Sequence, residues 1–479
     1  MEVVAKLRRA GVRALTVDSR RASPEVAFVA LPPATSASHD GRDFAHSALA
    51  CGAPIVLGQG ARPETVPEAR WVELSDVRKD YPGIAAELAG EWGQNVSVFG
   101  VTGTDGKTSV AWLASELLSA LSGGACARLG TLGVQWAGVD EQPGFTTLPA
   151  AALHPLLARM AGDGVRWLVM EVSSHALALG RVGAVRFRAG MLTTLARDHL
   201  DFHGDVERYH RCKLDWLDGL PSDAAIIAPK ALVHRFKEPE RVRCVGGSGV
   251  RIQLLAWQRG WSDVELEWAG GAVATQTRLT GQLMLDNLAM ACELARHAGF
   301  GWTQIAEAIP KVAPVPGRFE PVGAQSVVDY AHTPDALEQA LRALRTQCSR
   351  RLIVVFGAGG DRDRGKRAEM AAAAERLADV VIVTTDNPRN EAPEVIIDEI
   401  AAGFRGAELP VDELSDAQAG WARVEDRRLA IERACALCAP GDLLLVAGKG
   451  AEQTQEVAGQ FLPFDDRCVL RQVIGEEPC

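Results

Sequence analysis

The stretch Val98–Val110, VFGVTGTDGKTSV, constrains this chain more than any other. An apolar run leads into glycines at 100, 103 and 106, then Lys107 and Thr108, then the helical run TSVAWLASELLSAL. A strand, a glycine turn and a helix start present backbone N–H groups and partial positive charge to an anion. The spacing is not the common G-x-x-x-x-G-K-[ST], whose first glycine would fall on Val101. Lys107 is placed to reach the outer phosphates of a nucleotide and Thr108 to ligate Mg²⁺. Asp105 stands where anionic phosphates would arrive, so its side chain is expected to turn away and cap the loop.

At 479 residues the chain exceeds a single core. VAFVAL and PIVLG mark a small N-terminal α/β unit, and GIAAELAGEWGQN reads as a helix before the glycine loop. RWLVMEV and AGMLTTL are continuous apolar runs, as buried parallel strands require. The proline-rich PKVAPVPGRFEPVG reads as a linker. Beyond it RLIVVFGAGG, DVVIVTTDNPR and GDLLLVAGKG predict a second doubly wound sheet, with ligands at the carboxyl ends of its strands. A net charge of −10 excludes nucleic acid as the main partner. No apolar run is long enough to enter a membrane, and the charged N-terminus has no secretory leader, so a cytoplasmic location is expected. Scattered cysteines, with one isolated C-x-x-C at Cys435 and Cys438, fit a reducing compartment better than zinc.

Glu171 ends a buried strand, where a carboxylate can hold the Mg²⁺ that bridges ATP phosphates. Ser173, Ser174 and His175 follow it, and helix capping alone would explain them. Asp198, His199, Asp201 and His203 match no zinc spacing. Val206, Tyr209, Lys213 and Leu217 fall on one helical face. Lys213 therefore sits on an inward stripe, where snorkelling is the common outcome but desolvation would favour the neutral amine.

The loop G-T-D-G-K-T resembles the G-T-N-G-K-T loop of the Mur ligases and the related folylpolyglutamate synthases, with Asp105 in place of Asn. TVDSR, MEVSSHAL, ARDHLDFHG, GRFE, DYAHTPDAL, FGAGGDRDRGKR, DNPR and GKGAE follow in family order from residue 16 to 452. Together they resemble the branch of the Mur ligase family that adds the third residue of the peptidoglycan peptide. That resemblance implies an α/β protein of three domains. Residues 1–92 would be a UDP-sugar-binding domain, 93–313 a central P-loop ATPase domain with a mostly parallel sheet, and 314–479 a Rossmann-like domain that brings the amino acid.

It also implies residue roles. Lys107, Glu171, His199 and Lys213 would be catalytic. Gly103, Thr104, Gly106, Lys107, Thr108, Ser109, Asn287, Arg318, Asp329 and His332 would bind ATP. Ser19, Thr146, Thr147, Ser173, Arg181 and Lys213 would bind the UDP-dipeptide. Arg362, Asp386, Asn387, Pro388, Arg389, Gly448 and Glu452 would bind diaminopimelate. Thr108, Glu171 and a carbamate on Lys213 would hold Mg²⁺. Arg389 is taken as a lone cation whose fork grips the distal carboxylate and which lysine would leave unpaired. Leu148, Thr194 and Ala451 depart from the family pattern. The substrates implied are ATP, UDP-N-acetylmuramoyl-L-alanyl-D-glutamate and meso-diaminopimelate, used by a monomer working beside other cell-wall precursor enzymes. The alternatives are a sibling ligase with another substrate, or a catalytically silent nucleotide-binding relative.

Overall fold

A computed structural model describes residues 2–35, 38–90, 92, 93, 95–258, 261–414 and 419–476. The chain forms two compact units, one of residues 1–251 with 287–308 and the other of 252–286 with 309–479. Among the described residues no helix is long and apolar enough to cross a membrane.

The first unit holds two sheets. Strands Ala14–Thr16, Val26–Val29, Val56–Gln59 and Trp71–Leu74 pair in parallel in chain order. The helix expected from Gly83 begins earlier, at Val77, because Asp76 accepts the Lys79 N–H and caps it. It ends at Ala89, where Gly90 turns the backbone at φ +87°.

The second sheet has eight strands. At its centre Ser97–Thr102 lies between Trp167–Glu171 and Phe187–Leu192, parallel to both, with Val101 opposite Glu171 and Thr102 opposite Leu192. Three carboxyl ends therefore meet: the glycine loop, Glu171, and Thr193–Thr194. These strands carry almost no polar residue before their last position, so only their ends have chemistry to offer.

The second unit is built on a six-stranded sheet. Leu352–Phe356 lies between Leu443–Ala447 and Val380–Val383, all parallel. The three loops leaving them are Gly357–Gly360, Thr384–Arg389 and Gly448–Glu452. A three-stranded sheet of Arg251–Gln258, Trp261–Trp268 and Gly271–Thr277 was not expected. The proline-rich segment opens where the second unit resumes, at Ile309, and it is packed against that unit's residues rather than loose. Val312 and Val315 are buried, and the segment continues into the strand Glu320–Val322.

One buried ion pair fastens this unit. Arg427 donates from Nε and Nη2 to Asp466 at 2.8 and 2.7 Å, both side chains being fully buried. Nη2 also reaches the Ala447 carbonyl and Nη1 that of Thr385. The ends of two central strands are thus pinned to the last helix, Asp466–Ile474. Arg427→Met leaves Asp466 buried without its cation and is expected to cost about 3–5 kcal/mol. Denaturant unfolding measures this, and adding Asp466→Leu should recover most of the loss.

Candidate active site

In the glycine loop the backbone turns through Gly103 at φ +147° and Gly106 at φ +82°. A Cβ on Gly103 would lie 1.9 Å from Thr193 Oγ1, so only glycine fits. Lys107 Nζ donates to the carbonyls of Gly103 and Thr104 at 3.0 and 2.7 Å, which holds the ammonium across the mouth of the loop. Thr193 and Thr194 brace the loop from the next strand. Asp105 N–H donates to Thr194 Oγ1 at 2.9 Å, and both threonine hydroxyls donate to the Asp105 carbonyl. Two departures from the family pattern, Asp105 and Thr194, are therefore bonded to each other. The Asp105 residue itself is exposed.

Glu171 is the hub of this end of the sheet. It is 1% exposed. Its carboxylate accepts from Thr108 Oγ1 at 3.1 Å, Thr131 N–H at 2.8 Å and Thr131 Oγ1 at 3.2 Å. Its carbonyl accepts from Thr147 Oγ1 at 2.8 Å. Thr147 Oγ1 also accepts the Ser173 N–H, and Ser173 Oγ caps Ala176. Arg181 donates to the Thr147 carbonyl at 3.0 Å and stacks on Phe145. Thr146 meets Thr131 at 3.2 Å. Phe145 and Leu148, which flank Thr146 and Thr147 in the chain, line a cavity of about 780 Å³ with Thr16, Asp18 and Arg21. Ser19 is buried in the short turn beside them.

Lys213 lies on the helix Val206–Asp218 and has no exposed surface. Its Nζ donates to the Tyr209 carbonyl at 3.1 Å and lies 2.9 Å from the Tyr209 ring centroid. Tyr209 is itself buried, and burial pushes its phenol above the usual range. Burial lowers the Lys213 pKa to about 7; Cys212 and Asp198 oppose the shift and Lys107 adds to it. His199 adopts φ +51°, is half exposed, pairs with Asp198 at 3.3 Å and packs edge-on against His175. Asn287 closes this set, its Oδ1 beside Gly106. Among the described residues no three His, Cys, Asp or Glu side chains form a metal-binding group. The hard oxygens of Thr108 and Glu171 still fit Mg²⁺, which takes one or two protein ligands and fills its shell with phosphate and water.

Arg318, Asp329 and His332 belong to the other unit. Arg318 stacks on Tyr330 at 4.0 Å. Asp329 accepts the N–H groups of Phe319 and Ala331, and Lys366 donates to the His332 carbonyl.

At the carboxyl ends of the second sheet, Asp386 and Asn387 are buried and Gly448 abuts them; a Cβ there would lie 2.5 Å from Asp386 Oδ2. Lys449, fully buried, donates to Asn387 Oδ1 at 3.0 Å, Glu452 Oε2 at 2.8 Å and the Thr454 carbonyl at 2.8 Å. Asn387 Nδ2 donates to the same Glu452 oxygen. Arg389 is not the lone cation expected. Its Nε donates to Glu456 Oε2 at 3.0 Å and its Nη1 to the Gly360 carbonyl at 2.8 Å, because the hairpin strand Thr454–Val457 runs alongside it. Arg362 is exposed and, among the described residues, has no ion-pair partner.

Comparison with known proteins decides the family. Residues 101–295 match the Mur ligase middle domain, and residues 317–450 match the Mur ligase, glutamate ligase domain. A UDP-N-acetylmuramoyl-L-alanyl-D-glutamate–2,6-diaminopimelate ligase of Xanthomonas campestris pv. campestris is 38% identical over 98% of this chain and 95% of its own. The chain belongs to the Mur ligase family. A ligase of the same name from Alkalilimnicola ehrlichii is 39% identical over 97% of this chain and 95% of its own. A solved structure of that name superposes with a TM-score of 0.68 at 30% identity, covering 97% of this chain and 95% of the other. MurF ligase from Thermotoga maritima, solved with ADP, shares the fold at 18% identity and a TM-score of 0.61, covering 92% of this chain and 94% of the other.

The low pKa of Lys213 has a consequence for stability. Between about pH 7 and 10.5 the unfolded chain carries a proton on this lysine that the folded chain lacks. Stability from this group therefore rises with pH through that window and is lowest below 7. Urea unfolding in CO₂-free buffer should show the rise in the wild type, and Lys213→Met should flatten it.

Proposed function

We propose that the chain is an ATP-dependent ligase of peptidoglycan precursor synthesis, joining meso-diaminopimelate to UDP-N-acetylmuramoyl-L-alanyl-D-glutamate. Its near full-length kinship with ligases of that name carries the proposal. The phosphate loop, the hub at Glu171 and the charged loops of the second sheet support it. We read three functional domains, 1–92, 93–313 and 314–479, each built around its own main sheet. The place of work would be the cytoplasm and the working form a monomer; contacts with other cell-wall precursor enzymes would be additional to the chemistry.

The D-glutamyl carboxylate would attack the γ-phosphate of ATP, giving an acyl phosphate and ADP. The amine of the incoming amino acid would then attack the acyl carbon, and the tetrahedral intermediate would collapse with loss of phosphate. Lys107 would exchange the loop carbonyls for phosphate oxygens, stabilising charge as it develops. Thr108 and Glu171 would hold Mg²⁺, which when bound neutralises phosphate charge. Lys213, buried and easily neutral, is suited to carbamylation, and its carbamate would add an anionic ligand. Gly103, Gly106 and Ser109 would complete the phosphate cradle, with Asn287 beside it and Arg318, Asp329 and His332 acting from the second unit. His199 would neighbour the phosphates. Thr146, Thr147, Ser173 and Arg181, bonded around the Glu171 hub, and Ser19, next in sequence to the cavity-lining Asp18, would receive the UDP-dipeptide together with the 780 Å³ cavity. Asp386, Asn387, Pro388, Arg389, Gly448, Glu452 and Arg362 would receive diaminopimelate.

Phosphate release with the UDP-dipeptide and a panel of amino acids tests this. The expected result is turnover with meso-diaminopimelate well above L-lysine. Arg389→Ala should lower kcat/KM for diaminopimelate by roughly tenfold or more, the worth of a charge-assisted pair, while barely changing that for lysine. Lys213→Ala should lose ligation and regain part of it with added small carboxylates. Equal use of lysine, or no release with any amino acid, contradicts the proposal.

A further inference from the structure

The helix Lys107–Ser122, which starts at the phosphate loop, packs beside the strand Cys126–Gly130, and between them stands a cation that the proposed reaction does not use. Arg128 is only 6% exposed. Its Cζ lies 3.8 Å from the centroid of the Trp112 ring. Nη2 donates to Gln135 Oε1 at 2.8 Å, from the residue directly opposite on the strand Gly133–Trp136. Among the described residues that neutral amide is its one hydrogen-bond partner, and Nε, buried, has no acceptor. Burial disfavours the charge of this guanidinium, and Glu116 acts on it through space to restore part of that loss. Stacking on an indole compensates a buried cation only in part, so Arg128 retains a demand for an anion.

The cation is not sealed in. With Ser115, Glu116, Ser119, Gln135 and Trp136 it lines a cavity of about 320 Å³, many times what one water needs. Glu116 on the same wall limits the charge an occupant can carry, since a second negative group would meet it. A single carboxylate suits this lining and a doubly charged phosphate does not. The walls of the cavity also belong to the two elements that hold Glu171. Thr108, one turn before Trp112 on the helix, and Thr131, just past the end of the Arg128 strand, both donate to that carboxylate. We propose that the Arg128 cavity is an effector site for a small monocarboxylate, whose binding braces the helix against the strand and tightens ATP with Mg²⁺ at the phosphate loop. The ligand's carboxylate accepts from Arg128 Nε, a donor the fold leaves unmet.

Propionate is the probe. Titrated into the full chain, it should shift the indole N–H resonance of Trp112 saturably, the signal being assigned with Trp112→Phe. Arg128→Met keeps an apolar stem over the indole and loses the fork. It should raise the midpoint by roughly tenfold or more, the worth of a charge-assisted bond. Arg128→Lys keeps the charge without the fork and should also weaken binding, which gives a second reading if the methionine variant does not fold. Against an equal concentration of chloride, saturating propionate should lower the calorimetric Kd of wild type for ATP with Mg²⁺ by about fivefold or more, and leave that of Arg128→Met unchanged. No saturable shift in wild type, midpoints unchanged in both variants, or phosphate binding more tightly than propionate overturns the site. A saturable shift that leaves ATP affinity untouched overturns the effector role. If wild type binds no ATP at all, the nucleotide reading falls and the effector role with it, and the indole titration, which does not depend on that reading, still decides the site.

Discussion

A buried carboxylate held by hydroxyls and amides, not by a bonded cation, organises the nucleotide end of this protein. Glu171 takes hydrogen bonds from Thr108 on the helix after the glycine loop and from Thr131 on a neighbouring turn, while its carbonyl takes Thr147. One residue therefore ties down three segments far apart in sequence, two through its side chain and one through its backbone carbonyl. Neutral donors satisfy the oxygens without quenching their charge, which leaves the carboxylate able to attract a cation. Removing the carboxylate would release Thr108 and Thr131 together, and Thr147 and Ser173 are hinged to the same residue.

The second unit solves the opposite problem. It carries both signs of charge at and beneath its strand ends, and three pairs are matched: Arg427 with Asp466, Lys449 with Glu452, Arg389 with Glu456. The first pair has no exposed surface and fixes the loops. The last remains partly open and can still meet a ligand. A gradient from sealed to accessible pairs gives a rigid floor under a more open rim.

Sequence reached the parts governed by local pattern. The glycine loop was legible because glycine, lysine and threonine at those positions serve few other purposes. Central strands were legible as unbroken apolar runs, and the inward stripe predicted the burial of Lys213. What escaped depends on partners distant in sequence. Nothing near Thr131 signals that it will hold Glu171, 40 residues on. Glu456 lies 67 residues from Arg389, and only the hairpin brings them together. Lys449 stood within a quoted motif, yet its burial among three acceptors follows from the fold of that loop. The proline-rich segment opens where the second unit resumes, at Ile309, yet it is packed, because prolines fit a buried irregular strand lead-in as well as a linker.

The central claim is that Glu171 is held ready for a metal and is not merely a structural acceptor. Calorimetric titration of ATP with and without Mg²⁺, on wild type and Glu171→Gln, tests it most directly. The glutamine can keep the contacts to Thr108 and Thr131 while losing the charge. The account predicts that Mg²⁺ tightens the wild-type Kd for ATP, and that Glu171→Gln binds metal-free ATP as well as wild type does but loses the gain from Mg²⁺. A variant that keeps the full Mg²⁺ gain would contradict it.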